Sequence, residues 1–81
     1  MADSTAESME VSRDEAADLL QELARELRGQ GDAEVAVGNK TVRLSPPSAV
    51  TYEIETDERS PMLGGEEQSV TVTLEWETED E

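Results

Sequence analysis

Residues Ser12 to Leu44 read SRDEAADLLQELARELRGQGDAEVAVGNKTVRL, and inside this stretch the spacing of apolar residues changes from a helical period to a strand period. Ala16, Leu19, Leu20, Leu23, Ala24 and Leu27 fall at i, i+3, i+4, i+7, i+8 and i+11, which is one face of an α-helix. Ser12-Arg13-Asp14-Glu15 reads as a capping box: the Ser12 hydroxyl takes the Glu15 N–H and the Glu15 carboxylate reaches back. Val11 stands at the staple position before it. Asp14, Glu15, Asp18 and Glu22 lie toward the start, with Arg25 and Arg28 toward the end, as the helix dipole favours. Gly29 and Gly31 supply the stop. The helix is predicted from Ser12 to Arg28.

Beyond the glycines, Val35 and Val37 alternate with Glu34 and Ala36, and Val42 and Leu44 with Thr41 and Arg43. Gly38-Asn39-Lys40-Thr41 between them is a tight turn. With Asn39 and Lys40 at its centre, Val37 faces Val42 and Val35 faces Leu44 across a hairpin. Ser45-Pro46-Pro47-Ser48 blocks further pairing and redirects the chain.

Working outward, a third strand places Val50, Tyr52 and Ile54 on one face, with Thr51, Glu53 and Glu55 on the other. Residues 57 to 68 are a loop with Pro61, Gly64 and Gly65. The last strand, Ser69 to Trp76, points Val70, Val72, Leu74 and Trp76 one way and Thr71, Thr73 and Glu75 the other. One-faced strands imply an antiparallel sheet with one side in water. The expected fold is α+β: one N-terminal helix packed on one face of a four-stranded antiparallel sheet. A flexible acidic arm (residues 1–8) precedes a single domain (residues 9–77), and an acidic tail (residues 78–81) follows it.

Twenty-one acidic residues against six basic ones give a formal charge of -15 on 81 residues. Such a charge, with no Phe, one Tyr and one Trp, has two readings. One is a disordered acidic chain. The other is a folded domain whose self-repulsion is screened in molar salt, where the Debye length is about 3 Å. The clear apolar periods decide for the folded domain. Its basic set, five Arg and the single Lys40, suits a salt-rich cytoplasm. Met1 to Glu10 has neither the basic start nor the apolar centre of a signal peptide, and no apolar run is long enough for a bilayer. The expectation is a cytoplasmic protein with no membrane partner. Nucleic acid is also a poor partner, because phosphate binding needs clustered Lys and Arg.

The run Ser12-Arg13-Asp14-Glu15-Ala16-Ala17-Asp18-Leu19-Leu20, the hairpin closing on Leu44-Ser45-Pro46-Pro47, and the alternating strand closing on Leu74-Glu75-Trp76 follow one another in order. That order resembles the small haloarchaeal amphi-Trp domain proteins, whose terminal strand is amphipathic and carries a Trp. The resemblance spans nearly the whole chain. It implies an archaeal, salt-adapted cytoplasmic protein. It brings no activity and no catalytic residue to transfer.

With no His and no Cys, the commonest general base, the thiol nucleophile and imidazole metal ligands are all missing. The carboxylates fall on predicted solvent faces, in the arm or in the tail, where no pocket perturbs them. No EF-hand spacing occurs, so neither a cofactor nor a specific metal is expected. The candidate interaction residues are Trp76, with Tyr52 at the same end of the sheet, and Met62 and Leu63 in an apolar island of the acidic loop. Their ordinary alternative is burial in the core. Two functions follow from different classes: a non-catalytic protein-interaction or structural module, or a small-ligand or hydrolytic site at the Tyr52/Trp76 end. A four-stranded apolar face about 19 Å wide exceeds a helix about 10 Å across, which leaves surface for a protein partner or a homodimer.

Overall fold

The structure is a computed structural model that describes residues 4–60 and 64–78. In chain order it contains α1 (Arg13–Arg28), β1 (Ala33–Val37), β2 (Lys40–Leu44), β3 (Thr51–Arg59) and β4 (Glu67–Glu75). One helix and four antiparallel strands make an α+β chain, as the periods predict. The expected four-stranded sheet does not form among the described residues. The strands pair as two separate two-stranded sheets, β1 with β2 and β3 with β4. The break falls at Pro46 and Pro47, where the chain divides into two compact units, Met1–Pro46 and Pro47–Glu81. Proline has no N–H to give a ladder, so pairing started by either hairpin stops there.

In the first unit the helix begins as the sequence predicts. Ser12 is the N-cap in extended conformation, and its Oγ accepts the Glu15 N–H at 3.0 Å. Its carbonyl accepts the Ala16 N–H at 2.9 Å. The helix ends without a left-handed Gly29, whose φ is -66°. The left-handed residue is Gly31, at φ 92°.

The hairpin turn also differs from expectation. Gly38 and Asn39 form its centre, and Val37 pairs with Lys40, Ala36 with Thr41, Val35 with Val42 and Ala33 with Leu44. Gly38 takes φ 63°, and no non-glycine has positive φ among the described residues. A left-handed first residue and a right-handed second are the mark of a type II′ turn, whose twist suits a two-residue hairpin. Glycine's freedom at position 38, rather than the Asn39-Lys40 pair, therefore sets the register. Each partner moves by two residues from the predicted pairing, an even number, so every side chain keeps its predicted face.

Ala33 is the one fully buried hydrophobic residue among those described, 1 % exposed. Val35, Val37, Val42 and Leu44 around it are half-buried, and the intervening strand residues are exposed. The helix lies against β1. A 16-residue helix is about 24 Å long, whereas a five-residue strand is about 17 Å, so the helix overhangs its sheet. Its apolar stripe is accordingly covered only in part. Ala16, Leu23 and Leu27 are half-buried, while Leu20 is 63 % exposed.

Carboxylates tie this unit together through the backbone. Glu26 Oε1 accepts the Glu34 N–H at 3.0 Å, which joins helix to strand. Glu7 Oε1 accepts the Gly38 N–H at 2.6 Å, so the N-terminal arm reaches the hairpin turn. Residues 4–10 form no strand, and no fifth strand is added there.

In the second unit β3 and β4 pair without interruption from Thr51–Glu75 to Arg59–Glu67. Both strands run further toward the loop than the turn residues suggest: Asp57, Glu58, Arg59, Glu67 and Gln68 join the ladder. Exposed ion pairs stand at that end, Arg59 Nη2 to Glu67 Oε1 at 3.5 Å and Arg59 Nε to Asp57 Oδ2 at 4.0 Å. At their exposure such pairs contribute about 1 kcal/mol or less.

Candidate functional site

The β3–β4 ladder sorts its side chains by alternation. Tyr52 pairs with Leu74, Ile54 with Val72 and Thr56 with Val70, all on one face. The opposite face pairs Thr51 with Glu75, Glu53 with Thr73, Glu55 with Thr71 and Asp57 with Ser69. The hairpin is therefore apolar on one side and acidic, with hydroxyls, on the other. The apolar side is open: Tyr52 is 61 % exposed, Ile54 54 %, Val70 62 % and Val72 47 %. Five adjoining apolar side chains on one two-stranded surface form a patch of the kind that marks association.

Of the residues singled out in the sequence, Tyr52 lies on this face near its end, opposite Leu74. Trp76 follows β4 directly and is half-buried, two residues beyond Leu74. The register, carried one pair past Thr51–Glu75, aligns it with Val50. Tyr52 and Trp76 thus belong to the same end of the hairpin. Met62 and Leu63 lie outside the described residues.

Sequence reasoning missed the middle of the surface. Ile54, Val70 and Val72 fall on the predicted apolar face of the sheet, and the alternation that identifies that face gives no sign of which part of it stays uncovered. A second apolar surface lies within the first unit. It is a groove of about 400 Å³ floored by Met9, Leu19, Leu20, Leu23 and Val35, with Glu7, Glu22 and Glu34 at its rim.

Among the described residues no cluster of acidic side chains has the geometry of a metal site. No described helix is long and apolar enough to cross a membrane.

No curated protein and no solved structure matches the chain. The model of one family does, the Amphi-Trp domain, over residues 3–81, a span that runs from the acidic arm through the helix and both hairpins to the tail. The terminal strand of this chain, apolar on Val70, Val72 and Leu74, hydroxylic on Ser69, Thr71 and Thr73, and followed at once by Trp76, fits that description, and the chain belongs to the Amphi-Trp domain family.

Proposed function

We propose that this protein is a non-catalytic protein-interaction module that presents the apolar face of its β3–β4 hairpin to a partner in a salt-rich archaeal cytoplasm. The observation that carries the reading is the exposure of Tyr52, Ile54, Val70 and Val72 on one continuous face. A lone two-stranded hairpin is marginal in water and gains independent stability when its apolar face is covered. The chain's formal charge of -15 supports the setting, because molar salt screens the repulsion among its carboxylates. High salt also strengthens association by apolar burial relative to association by charge.

Photo-crosslinking in a halophilic host tests the reading. A photoreactive phenylalanine analogue replaces Ile54 on the apolar face or, as the control, Glu55 on the acidic face. The expected result is a discrete adduct with one other protein from position 54 and none from position 55. Equal labelling from both faces refutes a specific surface. Absence of an adduct, together with a saturable response of Trp76 fluorescence to a small metabolite, would instead favour a ligand site at the Tyr52/Trp76 end.

A further inference from the structure

An edge strand presents a row of unpaired N–H and C=O groups, and proteins blunt such edges with charges, prolines, bulges or covering segments. Two of this chain's strand edges are blunted in this way. Glu26 occupies the Glu34 N–H of β1. On β3, Glu53, Glu55, Asp57 and Glu58 place a carboxylate at four of nine positions. β4 is different. From Gln68 to Leu74, seven consecutive residues carry no charge, no proline and no glycine, and the register with β3 shows no bulge. Among the described residues β4 pairs with β3 alone.

We infer that β4 pairs antiparallel, edge to edge, with β4 of a second copy, about a two-fold axis through Val72. The argument runs on parity and charge. Val70, Val72 and Leu74 are even-numbered, so the apolar faces of two copies coincide only if paired residue numbers add to an even sum. Centring the axis on Thr71 satisfies parity but sets Glu67 directly opposite the second copy's Glu75, and like charges opposed across a ladder are destabilising. Centring it on Val72 sets Val70 opposite Leu74, Thr71 opposite Thr73 and Ser69 opposite Glu75, so that within β4 no carboxylate faces another and the three apolar residues meet only one another.

Pairing of β3 with itself about its central Glu55 opposes Glu53 to Asp57. Pairing of β4 with a second copy's β3 is head-to-tail and leaves an unpaired β4 at one end, the route to open filaments. The β4–β4 arrangement closes. It builds a four-stranded sheet from two marginal hairpins and joins their apolar faces into one surface. It rests on the edge of the hairpin rather than on its face, so it stands independently of the partner proposed above.

A cysteine-free chain permits a direct test. At the two-fold position Val72 stands opposite its own copy, with Cα atoms about 4.5–5.5 Å apart, within disulfide reach. Ile54 lies one strand further out on each side, so its two copies are about 14 Å apart, three strand spacings. In molar KCl, light scattering is expected to give the unmodified protein a mass about twice 8.9 kDa. Under mild oxidation Val72→Cys is expected to form a covalent dimer at least ten-fold faster than Ile54→Cys. A mass of 8.9 kDa at every concentration up to millimolar overturns the inference. So does a dimer in which Val72→Cys links no faster than Ile54→Cys. That result indicates face-to-face packing, where sheets about 10 Å apart exceed the reach of a disulfide.

Discussion

Replacing Gly38 by the two mirror forms of alanine isolates the turn that sets the first hairpin. Gly38 takes φ 63°, and a Cβ built on it meets no atom within 4 Å. The effect of a methyl group there is therefore conformational, with no steric clash to add. For L-alanine the left-handed backbone costs about 1–2 kcal/mol. The narrower unfolded ensemble returns about 0.4–1 kcal/mol. Gly38→Ala should therefore lose about 1 kcal/mol, or about 4–8 °C in Tm for a chain of this size. For D-alanine the same backbone is the favoured basin, so Gly38→D-Ala should gain about 0.4–1 kcal/mol. The N–H that donates to Glu7 survives in both, so that hydrogen bond does not confound the comparison. Thermal unfolding followed by circular dichroism in molar KCl, with the D-residue introduced by ligation of synthetic segments, reads the order D-Ala, Gly, L-Ala. An L-alanine variant at least as stable as the parent refutes the type II′ turn and the register built on it.

Three further outcomes follow from the same structure. Circular dichroism across a KCl series should strengthen from 10 mM, where the Debye length is about 30 Å, to molar salt, where it is about 3 Å; a flat, fully folded signal at 10 mM would show that screening is irrelevant to this chain. Ser12→Ala removes the hydroxyl that accepts the Glu15 N–H and should cost about 1 kcal/mol, whereas Ser12→Asp keeps an acceptor and should cost little; equal melting of both would remove the cap from the account of helix stability. Leu20→Asp, at a position 63 % exposed, should lose only the helix-propensity difference of about 0.5 kcal/mol, while Ala33→Asp should unfold the first unit by burying an unpaired charge; unfolding by Leu20→Asp would mean that the helix stripe is covered in solution.

The helix, the first hairpin and the two later strands were legible because each is coded by nearby residues. Ser12, the spacing of Leu19, Leu20, Leu23 and Leu27, and the alternation of Val70, Val72 and Leu74 act over a few positions. The turn was displaced because Gly38, Asn39 and Lys40 offer overlapping two-residue centres, and the choice depends on which residue takes positive φ. The sheet arrangement was less legible. Alternation tells which side of a strand is apolar and is silent about which strand lies beside it, so two hairpins and one four-stranded sheet share the same pattern. The candidate surface was legible at Tyr52 and at Trp76, where aromatic residues stand out. It was hidden at Ile54 and Val72, whose sequence signal is the same whether they face a core or water.

The pairing of each strand with its immediate neighbour along the chain also bears on how fast the molecule assembles. β1 meets β2 across a two-residue turn, β3 meets the next strand in the chain, β4, and α1 meets the strand that follows it. Chains dominated by such local contacts fold in microseconds to milliseconds, because little loop-closure entropy is lost before contacts form. The Glu7–Gly38 clasp, 31 residues apart, is the long closure within the first unit, and it can wait until helix and hairpin exist. During synthesis, the first unit has all its strands once Pro46 has emerged, before β3 has emerged. Its late event is then the capture of a turn N–H by one carboxylate, and amide exchange at Gly38 should report that step separately from the helix and the strands.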